Sequence, residues 1–96
     1  MWKNYNYGAS IGRKGSENGT ILKDEEYNDL CRITLEKCSR YYAVTCGIYG
    51  ELVHTAFADD GDMLYSNMKK ELQTYLESDM GEDEASEFFE RFCDKF

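Results

Sequence analysis

The amino-acid sequence predicts an α+β domain: an antiparallel β-meander of four to five strands followed by two C-terminal amphipathic helices packed on the sheet. Three observations carry this. Residues Leu30 to Ala58 alternate apolar and polar side chains, as half-buried strands do when successive residues point to opposite faces. After Ala58 the apolar period lengthens, placing Leu64, Met68, Leu72, Tyr75 and Leu76 on one helical stripe. The last segment repeats that spacing in Ala85, Phe88, Phe89, Phe92, Cys93 and Phe96.

Taken in order, residues 5–13 alternate Tyr5, Tyr7, Ala9 and Ile11 against Asn4, Asn6, Gly8, Ser10 and Gly12, which reads as a first strand. Residues 13–19 contain two glycines and an Asn-Gly pair and read as a hairpin loop. They lack the spacing of a phosphate-binding loop, and no helix follows them directly. Thr20 to Lys23 reads as a short second strand. A two-residue turn at Asn28-Asp29 would place Asp24 and Glu26 in the core beside Leu22 and Leu35, and burying two unpaired carboxylates is costly. The sequence therefore predicts a longer loop from about Asp24 to Asp29, or a bulge that resets the parity. A helix from Asp24 to Ser39 is an alternative, but the β-branched content of Cys31 to Leu35 favours strand.

In the central meander, Cys31, Ile33 and Leu35 share a face with Tyr42, Val44, Cys46 and Ile48. The connecting turn spans Cys38-Ser39 or Cys38 to Tyr41, and both lengths keep this parity. A two-residue turn at Tyr49-Gly50 then sets Cys46 opposite Val53, Val44 opposite Thr55 and Tyr42 opposite Phe57, with Val53 and Phe57 in the core. With both turns short, Arg32, Thr45 and His54 form one row of the other face. That face carries Ala43, Thr45, Gly47, Leu52, His54 and Ala56 on the last two strands, without a carboxylate or a lysine.

Asp60 or Asp62 is placed to cap the first long helix, and Gly81 to stop it. The cluster Asp59, Asp60 and Asp62 is not a calcium loop: counting from Asp60, Tyr65 stands where an EF-hand requires glycine. Glu82, Asp83 and Glu84 open the last helix in the sense its dipole favours, and Glu87 and Arg91 are spaced to pair.

At 96 residues the chain has room for one hydrophobic core, so residues 1–96 are read as a single domain. No stretch approaches the about 18 apolar residues of a membrane span. The opening residues lack the apolar core of an export signal, which points to the cytoplasm and reduced thiols. Cys31, Cys38, Cys46 and Cys93 form no CxxC pair; they read as small buried hydrophobes, with no metal and no cofactor implied. The net charge is −8, and residues 71–96 hold nine Asp and Glu against two Lys and Arg. That balance disfavours direct nucleic-acid binding and anionic membranes, and suits a basic protein partner.

Two functional expectations follow. The first is a non-catalytic protein-binding or regulatory module that docks a partner, or self-associates as a homodimer, through the uncharged sheet face, with Arg32, Tyr41, Thr45, Tyr49, His54 and Ala56 as contacts. The second is an acidic inhibitor or nucleic-acid mimic, of immunity or anti-restriction type, using Glu82, Asp83, Glu84, Glu87, Glu90 and Asp94. An enzyme is not expected. Parity puts His54 on the opposite face from Cys31 and Cys46, Cys38 lies at a distant turn, and Asp24 to Glu26 sit at a loop tip. His54 beside Arg32 would at most bind a small anion.

Overall fold

A computed structural model describes all of residues 1–96. Five strands, β1 (Trp2–Asn4), β2 (Thr20–Tyr27), β3 (Cys31–Lys37), β4 (Tyr42–Ile48) and β5 (Leu52–Ala58), precede helices α1 (Gly61–Leu76) and α2 (Glu82–Lys95). The strands form one antiparallel sheet in sequential order. Both helices lie on one face, where Cys31, Ile33, Leu35, Val44 and Cys46 meet Tyr65, Met68 and Leu72 of α1 and Phe88 and Phe92 of α2. The other side is called the back face below.

The N-terminal segment departs from the strand expected at 5–13. The first strand is Trp2–Asn4, and Tyr5–Gly8 form a tight turn in which Asn6 and Tyr7 both take left-handed φ angles of 48° and 56°. Asparagine and glycine set this backbone, overriding the apolar alternation of Tyr5, Tyr7, Ala9 and Ile11. Trp2 anchors the strand from the helix side. Its ring packs edge-on against Tyr27 and its indole N–H donates to Gln73.

The second strand runs on to Tyr27, because a bulge resets its parity: Ile21 pairs with Glu36 and Lys23 with Leu35, leaving Leu22 extra. The acidic run is therefore strand, not loop tip. Asp24 and Glu26 turn to the back face, while Glu25 faces α1 and accepts hydrogen bonds from Tyr65 and Lys69. The turn beyond it covers Asn28–Leu30, with Asn28 left-handed at φ 51°. Cys31–Lys37 is strand, so no helix forms over 24–39.

The β3–β4 connection takes its four-residue form, with Lys37 opposite Tyr42 and Ile33 opposite Cys46. The β4–β5 connection does not take the expected two-residue form. Tyr49–Glu51 form a three-residue loop, Gly50 supplies φ +79°, and Ile48 pairs with Leu52. One residue of slip inverts the strand. His54 and Ala56 point to the helices, whereas Val53, Thr55 and Phe57 occupy the back face.

In α1, Asp60 caps the N-terminus, accepting from the Met63 N–H at 3.0 Å. Tyr65, Met68 and Leu72 are its buried stripe. The helix ends at Leu76, and Gly81 is the residue before α2 rather than the terminator of α1. Phe88 stacks on Tyr75 at 4.8 Å between ring centroids, which ties α2 to α1. No helix is long and apolar enough to cross a membrane.

Candidate functional site

The back face has two halves with different fates. Over β2 and β3 it is closed by residues 5–19, which two buried carboxylates hold down. Asp24, fully buried, accepts two hydrogen bonds from Arg32 at 2.9 and 2.6 Å, one from Ser10 at 2.7 Å and one from Thr34 at 3.1 Å. Burial alone would raise its pKa. The hydrogen bonds from Arg32, Ser10 and Thr34 and the Arg32 charge outweigh that and hold the carboxyl below its ordinary value. The Tyr5 ring covers the Arg32 guanidinium at 3.6 Å from the ring centroid.

Glu36, also fully buried, accepts from the backbone N–H groups of Glu17 and Gly19 at 3.1 and 3.0 Å. A side chain at Gly15 would meet this carboxylate at 2.5 Å. Backbone bonds between Gly12 and Ile21, and between Ile21 and Arg13, lay the segment along the bulged part of β2.

Over β4 and β5 the back face lacks that cover and is bare along β5, although Ala43 of β4 is fully buried on it. Val53 is 80% exposed and Phe57 54%, with the Tyr41 ring edge-on to Phe57 at 5.3 Å. The Thr45 and Thr55 hydroxyls bond each other at 3.1 Å between them. An open groove of about 690 Å³ runs from Lys14 and Ser16, past Thr34 and Thr45, to Val53. No charged side chain of β4 or β5 stands on this surface.

The six contact residues expected from sequence divide accordingly. Tyr41, Thr45 and Tyr49 are on or beside the bare half, with Tyr41 and Tyr49 exposed. Arg32 is on the back face, but its guanidinium is taken up by Asp24 and Tyr5. His54 and Ala56 are on the helix side: the His54 ring packs edge-on to Phe92 at 5.9 Å and Ala56 is buried. The row Arg32, Thr45, His54 is therefore replaced by Thr34, Thr45, Thr55 and by Arg32, Gly47, Val53. Sequence reading missed Val53, Thr55 and Phe57 because the two larger apolar residues suit a core. The signal that was present is Gly50, which serves a three-residue loop as well as a two-residue one.

The register also brings Cys46 directly across from His54. Burial pushes the Cys46 thiol up to about 12, and that of Cys31 likewise. Thiols so placed stay protonated near neutrality and supply no thiolate nucleophile. All four cysteines are free, and no group of three or more His, Cys, Asp or Glu side chains is placed to hold a metal ion. On α2, Glu82, Asp83, Glu84, Glu87, Glu90 and Asp94 are all exposed. Only Glu87 among them has a cationic partner, Arg91 at 3.9 Å.

Comparison with protein-family models, with characterised proteins and with solved structures finds no match to this chain.

Proposed function

We propose that this chain is a non-catalytic protein-binding module whose contact surface is the bare half of the back face, built from Tyr41, Thr45, Val53, Thr55 and Phe57. The exposure of Val53 and Phe57 on an uncharged sheet surface carries the reading, since large apolar side chains in such a patch favour a partner over water. Residues 5–19 seal the other half of the same face, whereas Val53 and Phe57 stay exposed over β5. The net charge of −8 favours protein over nucleic acid as the ligand. Four free thiols suit a reducing compartment such as the cytoplasm.

The test is affinity capture with wild type alongside Val53→Arg and Phe57→Arg. Both side chains are exposed, so circular dichroism is expected to stay unchanged. A partner, whether another protein or a second copy, that is retained by wild type and lost by both variants supports the reading. Identical capture by all three refutes it.

A second reading rests on α2, whose carboxylates are nearly uncompensated. As an acidic inhibitor or nucleic-acid mimic, the chain would occupy the basic cleft of a nucleic-acid enzyme. Replacing the six acids by glutamine would then abolish binding while Val53→Arg left it intact.

A further inference from the structure

β5 is an outer strand of the sheet, and its edge is open. The Glu51 N–H bonds back to the Ile48 carbonyl, and the Tyr49 N–H bonds to Leu30 on the other side. Backbone groups alternate direction along an antiparallel strand, so even-numbered residues of β4 address β5. With Ile48 opposite Leu52 and Cys46 opposite His54, the amides and carbonyls of Val53, Thr55 and Phe57 are directed at the free edge.

Edge strands are ordinarily blunted by shortness, lysine, proline or a bulge. The opposite edge follows that rule, being the three-residue β1 with Lys3 at its centre. β5 does not: Leu52–Ala58 has seven residues, no charge, no proline and an unbroken register. Carboxylates flank it instead, Glu51 before it and Asp59 and Asp60 after it, all exposed.

We infer that β5 receives an extended basic peptide segment as a sixth, antiparallel strand, its apolar side chains lying over Val53 and Phe57 and its Lys or Arg residues reaching Glu51 and Asp59. This rests on the binding-module reading and names the partner's chemistry. The two carboxylate-bearing positions are eight residues apart, about 27 Å in strand geometry. Charge selects against a second copy. Antiparallel self-pairing about Thr55 would set Glu51 of each copy opposite Asp59 of the other, between chains of net charge −8. A strand with cations at those positions meets attraction there.

The probe is a capped nine-residue peptide with lysine at both ends, valine at the third and seventh positions and threonine elsewhere. Its control carries glutamate at both ends. Titration followed by amide hydrogen exchange is expected to show added protection at Val53, Thr55 and Phe57. The lysine peptide should bind about tenfold tighter than the control, with the difference shrinking as salt rises. Thr55→Pro removes a central edge N–H while keeping Val53 and Phe57, and should lose about tenfold in affinity. No added protection at those three amides in wild type at about 1 mM peptide overturns the inference, whatever the proline variant does to the fold. If Phe57→Arg abolishes binding but Thr55→Pro and wild-type exchange are silent, the face reading survives and strand addition falls. If neither variant matters, both fall. Sedimentation of the protein alone should give a monomer; a dimer dissociated by Thr55→Pro would put a second copy on the edge and overturn the basic strand.

Discussion

His54 lies directly across β4–β5 from Cys46, beneath α2, with its ring edge-on to Phe92. Its Nε2 atom is buried without a hydrogen-bond partner. A polar atom in that position costs its desolvation and recovers nothing, whereas an apolar group of similar size costs nothing of the kind. His54→Leu should therefore raise stability by about 0.5–1 kcal/mol, read as a higher urea midpoint at unchanged slope. Binding at the back face should be unaffected, because His54 is on the other side of the sheet.

Most of the fold is legible in the sequence, since alternation and helical period report burial directly. Cys31, Ile33, Leu35, Val44 and Cys46 read as one face and form it. What alternation does not encode is a shift of one residue. In β5 the odd set, Val53, Thr55 and Phe57, is more apolar in bulk than the even set, Leu52, His54, Ala56 and Ala58, yet the even set is inside. The helix side is tight at that end of the sheet: a side chain at Gly61 of α1 would meet the ring of Tyr42, the residue paired with Ala58, at 2.5 Å. That constraint is tertiary and leaves no local trace. The same holds for Asp24 and Glu36: their partner Ser10 lies in residues 5–13, whose alternation predicts a strand, and Glu17 and Gly19 lie in residues 13–19, which read as a hairpin loop.

The Asp24–Arg32 pair ties residues 5–19 to the sheet, so its loss should be felt both in stability and in that segment. Breaking a buried pair by removing one partner is strongly destabilising, but the Arg32 side chain is 35% exposed and retains some hydration. Asp24→Asn should cost about 2 kcal/mol near neutral pH. The folded carboxyl titrates below its ordinary value, so its contribution is complete above about pH 4 and is lost as pH falls through the lowered folded value. Urea unfolding of wild type and variant should accordingly converge as pH falls below the ordinary carboxylate range. A gap that stays constant with pH would mean that the ion pair is not its source.

Glu36 offers a second, separable handle on the same segment. Its Oε1 accepts from the main-chain amides of both Glu17 and Gly19, its Oε2 takes a longer second contact from the Glu17 N–H at 3.3 Å, and no cation is bonded to it. Glu36→Gln can keep the oxygen that serves both donors, but it removes the negative charge and sets an amide NH₂ against the Glu17 N–H in place of Oε2. The expected loss is about 1–2 kcal/mol, with faster hydrogen exchange at Glu17 and Gly19 and none at Met63, whose amide is held by Asp60.

The four thiols should divide by burial rather than by number. Cys31 and Cys46 are buried beneath the helices, and loss of solvent raises each thiol to about 12, with the neighbouring cysteines adding to the rise at Cys46. Alkylation requires the thiolate and a path to it. Near neutral pH an alkylating reagent should therefore modify Cys38 and Cys93, both partly exposed, while leaving Cys31 and Cys46 intact until the sheet opens. Mass spectrometry after a timed pulse reads the two classes directly. In rising urea the slow pair should become reactive with the global unfolding midpoint, because the strands that carry them, β3 and β4, are the centre of the sheet. Early labelling of Cys46 without Cys31 would instead place a local opening between α2 and β5, beside the edge at which the basic strand is inferred to add.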